Sequence, residues 1–305
     1  MGNIYNELNE LSHLDLLAKQ IVEGFLIGLH KSPFHGFSVE FSEHRLYNQG
    51  DSIKNIDWKV YARTDKLYTK KYEEETNLRC QIVIDTSSSM LFPKDSKDNK
   101  LRFSFLAAAS LIHLLKKQRD AFGLTLFDEK INFNLAPKLS ENNKNQIFNA
   151  MEEAMNQNYT SKTNATKCLN ELAEINHRRS LIIIFSDMLE NMEEDKEMDH
   201  LFNALQHLKY NKHEVVLFHT VDKSLELDFN FSNNPYEFID MENGEVLKIN
   251  PNEVKTIYTE RMAAYMDSIK LRCSQYKIDF VPVDIKDGYK QVLQTYLLKR
   301  TKMMI

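Results

Sequence analysis

Cysteine is scarce in this chain. Cys80, Cys168 and Cys273 are all it has in 305 residues. They are far apart and odd in number, and no pair has the spacing of a redox motif or a zinc site. This argues against a disulfide framework and points to reduced thiols in a cytoplasmic protein. Long apolar runs are missing too. The longest, 105–115 and 181–185, fall short of the roughly 18 residues a membrane helix needs, so no membrane span is expected. The N-terminus lacks the basic region and apolar stretch of a secretion signal. Gly2 invites myristoylation, but Asn6 stands where Ser or Thr is required. Positive charge is not in excess: 39 Lys and Arg face 44 Asp and Glu, a net charge of −5. Nothing in that balance draws the chain to nucleic acid. The lysines of 66–71 read as a solvated strand face, and the scattered histidines show no zinc-ligand spacing.

What is present is an ordinary soluble composition, 42% hydrophobic and 27% charged, with a pattern that changes along the chain. Leu14, Leu17, Ile21, Phe25 and Leu29 recur at helical period over 12–30, behind Ser12 and Asp15 at capping-box spacing. Pro33 and Gly36 break that helix. Residues 37–78 are dense in charge and aromatics, and suggest short strands near 39–46 and 67–73 with a turn or short helix near 56–63. From residue 79 onward strands and helices alternate. Strands are predicted over 80–85, 180–186, 214–219 and 278–283, with a hairpin formed by 122–127 and 130–134. Helices are predicted over 100–119, 141–157, 164–177, 193–209 and 251–276, with a last one from Gly288. Asn250 and Pro251 make a strong helix start. A second hairpin turns at Asn243-Gly244. The fold class is therefore α/β: a doubly wound, mostly parallel sheet, preceded by a helix and a small β-rich segment. The division expected is 1–78 for that N-terminal segment and 79–305 for the α/β domain.

The run Gln81 to Ile84 ends in Asp85, and hydroxyls follow at alternate positions, Ser87 and Ser89. Ligand sites of open α/β sheets lie just past the carboxyl ends of such strands. Thr163 opens a later helix, and Asp187 ends the second apolar strand, so all can meet at one sheet edge. Two carboxylates and three hydroxyls there make a hard-oxygen set suited to Mg²⁺ or Mn²⁺. Hydroxyls leave the ion with positive charge to spare, which would attract an acidic residue of a partner. The bland alternative is that Asp85 and Asp187 cap helices and the serines form turns. A third is a site shape kept with little or no metal affinity.

Asp85-x-Ser87-x-Ser89 with Thr163 and Asp187 resembles the metal-ion-dependent adhesion site of von Willebrand factor A domains. Further residues narrow the resemblance: Gly36, Glu40, Phe41, Arg45, Tyr47, Gly50-Asp51, Ile56-Asp57-Trp58 and Ala62-Arg63. With Asp240 to Glu245 and the helix from Pro251, they resemble the bacterial family called domain of unknown function fifty-eight. Ser38 and Lys54-Asn55 depart from its pattern. The family is von Willebrand A-like and commonly encoded beside MoxR-type AAA+ ATPases. The resemblance implies a cytoplasmic, non-catalytic module that works with such an ATPase in assembling or maturing other protein complexes.

Arg45, Asp57, Trp58 and Arg63 are the candidate partner-binding residues. Their alternative role is a polar network, with Asp51 and Glu75, that pins the N-terminal segment. Trp58 is either a core anchor or an interface hot spot. His113, inside an apolar helix, reads as a satisfied core histidine. Two rivals stand beside the leading reading. One is a scaffold whose metal site is vestigial. The other is a metal-dependent phosphatase with Asp85 as nucleophile, but Ser87 stands where a second carboxylate is wanted.

Overall fold

Four apolar runs, 79–85, 121–127, 181–186 and 214–221, are buried almost throughout and pair into the middle of one sheet. Such runs read as central strands because both their faces are covered. The structure is a computed structural model. It describes residues 14–26, 44–46, 61–63, 66, 68–70, 78–94, 98–157, 163–176, 179–188, 195–241 and 244–303.

In chain order, helix α1 covers 14–26, and β1 (His44–Leu46) pairs antiparallel with β2 (Tyr68–Lys70). Then come β3 (Arg79–Asp85), α2 (Lys100–Lys117), β4 (Ala121–Phe127), β5 (Ile131–Lys138), α3 (Glu141–Met155) and α4 (Ala165–Ile175). The second half holds β6 (Leu181–Ser186), α5 (Asp195–Tyr210), β7 (Glu214–Val221), the hairpin β8 (Tyr236–Ile239) and β9 (Val246–Ile249), α6 (Pro251–Gln275), β10 (Asp279–Asp284) and α7 (Lys290–Met303). The six-stranded sheet has the order β10-β7-β6-β3-β4-β5. Only the β4–β5 pair is antiparallel. The chain leaves β3 toward β4 on one side and returns through β6 on the other. The switch point therefore lies between β3 and β6, where a doubly wound sheet opens a crevice at its carboxyl edge.

Helices cover both faces. Residues of α1, α2, α3 and α7 build the core on one face, and residues of α4, α5 and α6 build it on the other. Helix α2 is buried nearly all round, as its unbroken apolar composition requires. Asn99, Ser140, Asn164 and Asn250 cap α2, α3, α4 and α6, each accepting a backbone N–H of the first turn, which satisfies donors the helix itself cannot. Helix α1 belongs to the α/β core. Leu14, Ala18 and Val22 are buried in it, and Asp15 Oδ1 lies 2.8 Å from His113 Nε2 and 2.7 Å from Lys144 Nζ. His113 is thus satisfied within the core contact, and Asp15 serves as its partner across helices. Ser12, its expected capping companion, lies outside the described residues.

Gly123 holds the sheet edge in place. A Cβ there would stand 2.4 Å from the Leu135 carbonyl oxygen and 2.8 Å from the Pro137 nitrogen, where β4 and β5 slip register. A backbone that approaches so closely tolerates no side chain. Gly123→Ala should cost about 3 kcal/mol by forcing β5 outward. Urea unfolding measures this; a loss below about 1 kcal/mol would mean β5 yields freely.

Candidate functional site

Strand pairing delivers the acidic residues. Ile84 pairs with Phe185, so Asp85 and Ser186 leave the sheet side by side. Ser186 Oγ donates to Asp85 Oδ2 at 2.8 Å, and the Ser87 backbone N–H donates to Asp85 Oδ1 at 3.0 Å. The second bond is an Asx turn, and it bends the chain into a short 3-10 turn over Ser88–Leu91. That turn places Ser87 Oγ and Ser89 Oγ 3.1 Å apart, and the Ser89 side chain helps to hold the Asp187 carboxyl down. Four of the five expected residues, Asp85, Ser87, Ser89 and Asp187, therefore meet at the switch point. The fifth, Thr163, is buried just ahead of α4, where the Asn164 N–H donates to the Asp128 carbonyl at 3.0 Å. Among the described residues no hydrogen bond joins Thr163 to the other four.

A lysine also enters the cluster. Lys100 Nζ, fully buried, donates to Asp187 Oδ2 at 2.7 Å and to Glu226 Oε1 at 2.5 Å. Glu226 belongs to a π-helical turn over Lys223–Leu227. Its Oε2 accepts the Asp222 N–H at 2.7 Å, and its carbonyl accepts the Tyr258 hydroxyl at 2.9 Å. Sequence reasoning missed both Lys100 and Glu226. One signal was available for Lys100: it opens α2, where the positive end of the helix dipole disfavours a cation, so another partner has to hold it there. Glu226 lies 126 residues away from Lys100 and carried no such signal.

The charges do not balance. Burial would lower the Lys100 ammonium, but Asp187 and Glu226 outweigh it and hold it above its usual range. Burial would likewise raise Asp187, but Lys100 keeps that carboxyl below the ordinary value. Asp85 has no such relief. Burial and then the neighbouring Asp187 push it up to about 7, and among the described residues no Lys or Arg pairs with it. Three carboxyl groups, Asp85, Asp187 and Glu226, thus cluster around one ammonium, which bonds only the last two.

This donor set fits a hard divalent cation in its chemistry. The free lone pairs of Asp85 and the Ser87 and Ser89 hydroxyls are hard oxygens, and the cluster has negative charge to spare. Among the described residues no three His, Cys, Asp or Glu side chains stand close enough to hold an ion by themselves, so hydroxyls and water would have to complete its shell.

The profile of one family, described as "Protein of unknown function DUF58", matches residues 43–267, well over half of the chain. The chain belongs to this family. It also resembles the uncharacterized proteins Mb1516 of Mycobacterium bovis and Rv1480 of Mycobacterium tuberculosis, each 35% identical over 82 residues. Those 82 residues are 27% of this chain and 26% of each relative. The match thus spans about a quarter of the curated relatives' length. Among solved structures, BatB from Bacteroides thetaiotaomicron is 15% identical, covers 74% of this chain and 98% of its own, and superposes at a TM-score of 0.45. A mutant of the PilB minor pilin from Streptococcus sanguinis is 11% identical, covers 78% of this chain and 64% of its own, and superposes at 0.44. At such scores the likeness is too distant to transfer anything.

The DUF58 match begins inside the charged segment, just ahead of the expected partner-binding residues. Asp57 and Trp58 lie outside the described residues, as do Asp51 and Glu75. Arg45 is in β1, and Arg63 is exposed in a short helical turn over 61–63. No helix among the described residues is long and apolar enough to cross a membrane.

Proposed function

We propose that this chain is a non-catalytic protein-interaction module. In this reading a divalent cation, Mg²⁺ or Mn²⁺, is held by Asp85, Ser87 and Ser89, with Asp187 and Thr163 behind them. The observation that carries it is Asp85: a carboxylate 1% exposed, with no cationic partner among the described residues, beside a pair of hydroxyls at the switch point. A buried carboxylate without counter-charge is costly, and a cation supplied from outside would relieve it. Such a cation offers an electrophilic position to an acidic side chain of a partner. The cytoplasmic setting and the partnership with a MoxR-type ATPase, in assembling or maturing other complexes, rest on the family resemblance. Catalysis is disfavoured because Ser87 stands where a phosphatase would need its second carboxylate.

Lys100 favours a second reading. Its ammonium already serves Asp187, and a lysine that substitutes for the ion would make the site a vestige on a protein scaffold. Mn²⁺ binding by the full chain, followed by electron paramagnetic resonance, separates the two. The metal reading expects saturable binding by the wild type and at least a tenfold loss in Asp85→Ala, with circular dichroism unchanged. It also expects loss of Mg²⁺-dependent capture of the ATPase by that variant. A wild type that takes up no Mn²⁺, or capture that persists in chelator, would leave the scaffold reading.

A further inference from the structure

A second feature of the same sheet edge is independent of the metal reading. A cavity of about 690 Å³ opens at the carboxyl ends of β7 and β10, between the π-helical turn, α6 and the start of α7. Its apolar lining comes from Val221, Leu227, Met262, Met266 and Val283. Methionines at such a surface adapt to irregular apolar partners. Four carboxylates, Asp228, Asp267, Asp284 and Asp287, line the same cavity, against one cation, Lys223. None of the four forms an ion pair among the described residues.

The two properties together define a ligand. The acidic groups come from the end of the π-helical turn, from α6, from the end of β10 and from the β10–α7 connection. No three of them stand close enough to hold a metal ion. Their charge is spread around an apolar floor, so it suits several organic cations with alkyl stems and not a point charge. Lysine and arginine side chains have that form: the stem packs on apolar surface while the charged head stays at the wet rim. A concave, low-dielectric wall strengthens the attraction. A cavity of this size accepts more than one side chain.

We propose that this cavity is a docking site for a basic, amphipathic segment of a partner protein. Its occupant places leucine-like side chains against Met262 and Met266 and directs lysine or arginine heads at Asp228, Asp267, Asp284 and Asp287. The site would act beside the Asp85 cluster but does not need it.

The test uses the full chain with ¹³C-labelled methionine methyls, in chelator so that the Asp85 cluster plays no part. Met262 and Met266 are assigned through Met262→Leu and Met266→Leu. The probes are the peptide acetyl-KLLKLLK-amide, its counterpart acetyl-ELLELLE-amide, and spermidine. The basic peptide should shift the Met262 and Met266 methyls saturably, and the acidic peptide should not. Asp267→Asn combined with Asp287→Asn, both at exposed positions, should weaken the basic peptide at least tenfold without altering the circular dichroism. Methyls that stay still with the basic peptide would overturn the proposal, as would undiminished binding by the double variant. Spermidine binding as tightly as the peptide would also overturn it, because the cavity would then read charge alone.

Discussion

Lys100→Met is expected to destabilise the protein by about 3–5 kcal/mol, the usual result of removing one member of a buried ionic cluster. Methionine is close to lysine in size and shape, so the loss comes from charge and not from volume. Asp187 and Glu226 would face each other without the ammonium that now bonds both, in a region already strained by Asp85. Urea unfolding near pH 7.5 gives the number. Combining Lys100→Met with Asp187→Asn and Glu226→Gln should recover most of it, since no uncompensated charge remains at those positions. A single-variant loss under about 1 kcal/mol would show that water reaches the ammonium. The same variant bears on function. If an external cation and Lys100 compete for Asp187, Mg²⁺ should stabilise Lys100→Met more than it stabilises the wild type.

Acid sensitivity should be set largely by His219. Its ring is fully buried on β7 and packs edge-on against Phe280 at 5.6 Å, and among the described residues neither nitrogen makes a well-formed hydrogen bond. Burial pushes the imidazole down to about 4, against about 6.5 in an unfolded chain. Between those values the unfolded state holds the proton and the folded state does not, so stability falls as pH drops through that window. The term is worth about 3 kcal/mol over the full interval. His213 and His113 are lowered by burial as well and act in the same direction. Asp85, raised by burial and Asp187, acts oppositely, so a plain pH curve would blend the two. Comparison with His219→Phe removes that difficulty, because both proteins carry the same Asp85. The variant should be about 1 kcal/mol more stable at pH 7.5, having lost an unsatisfied polar ring. Its advantage should widen to roughly 4 kcal/mol by pH 4. Parallel stability curves would mean that His219 finds a partner or a proton in the folded state.

Local chemistry carried much of the architecture. The β-branched runs at 80–85 and 181–186 announced central strands, because a strand covered on both faces has no polar side to show. The hairpin after Phe122, the cap at Asn250, and the apolar helix after Lys100 were legible for the same reason: turns, caps and periodicity act within a few residues. The pairing of Asp85 with Asp187 was accessible because both end apolar strands, and a doubly wound sheet brings such ends to one edge. What sequence alone left open was the company they keep. Strand order put Ser186 beside Asp85, chain folding brought Lys100 to Asp187 and Glu226 across 87 and 126 positions, and Thr163 has no hydrogen bond to the cluster among the described residues. Periodicity and capping are short-range and written in neighbours. Whether a buried charge is neutralised depends on which distant side chain happens to face it, and only packing in three dimensions decides that.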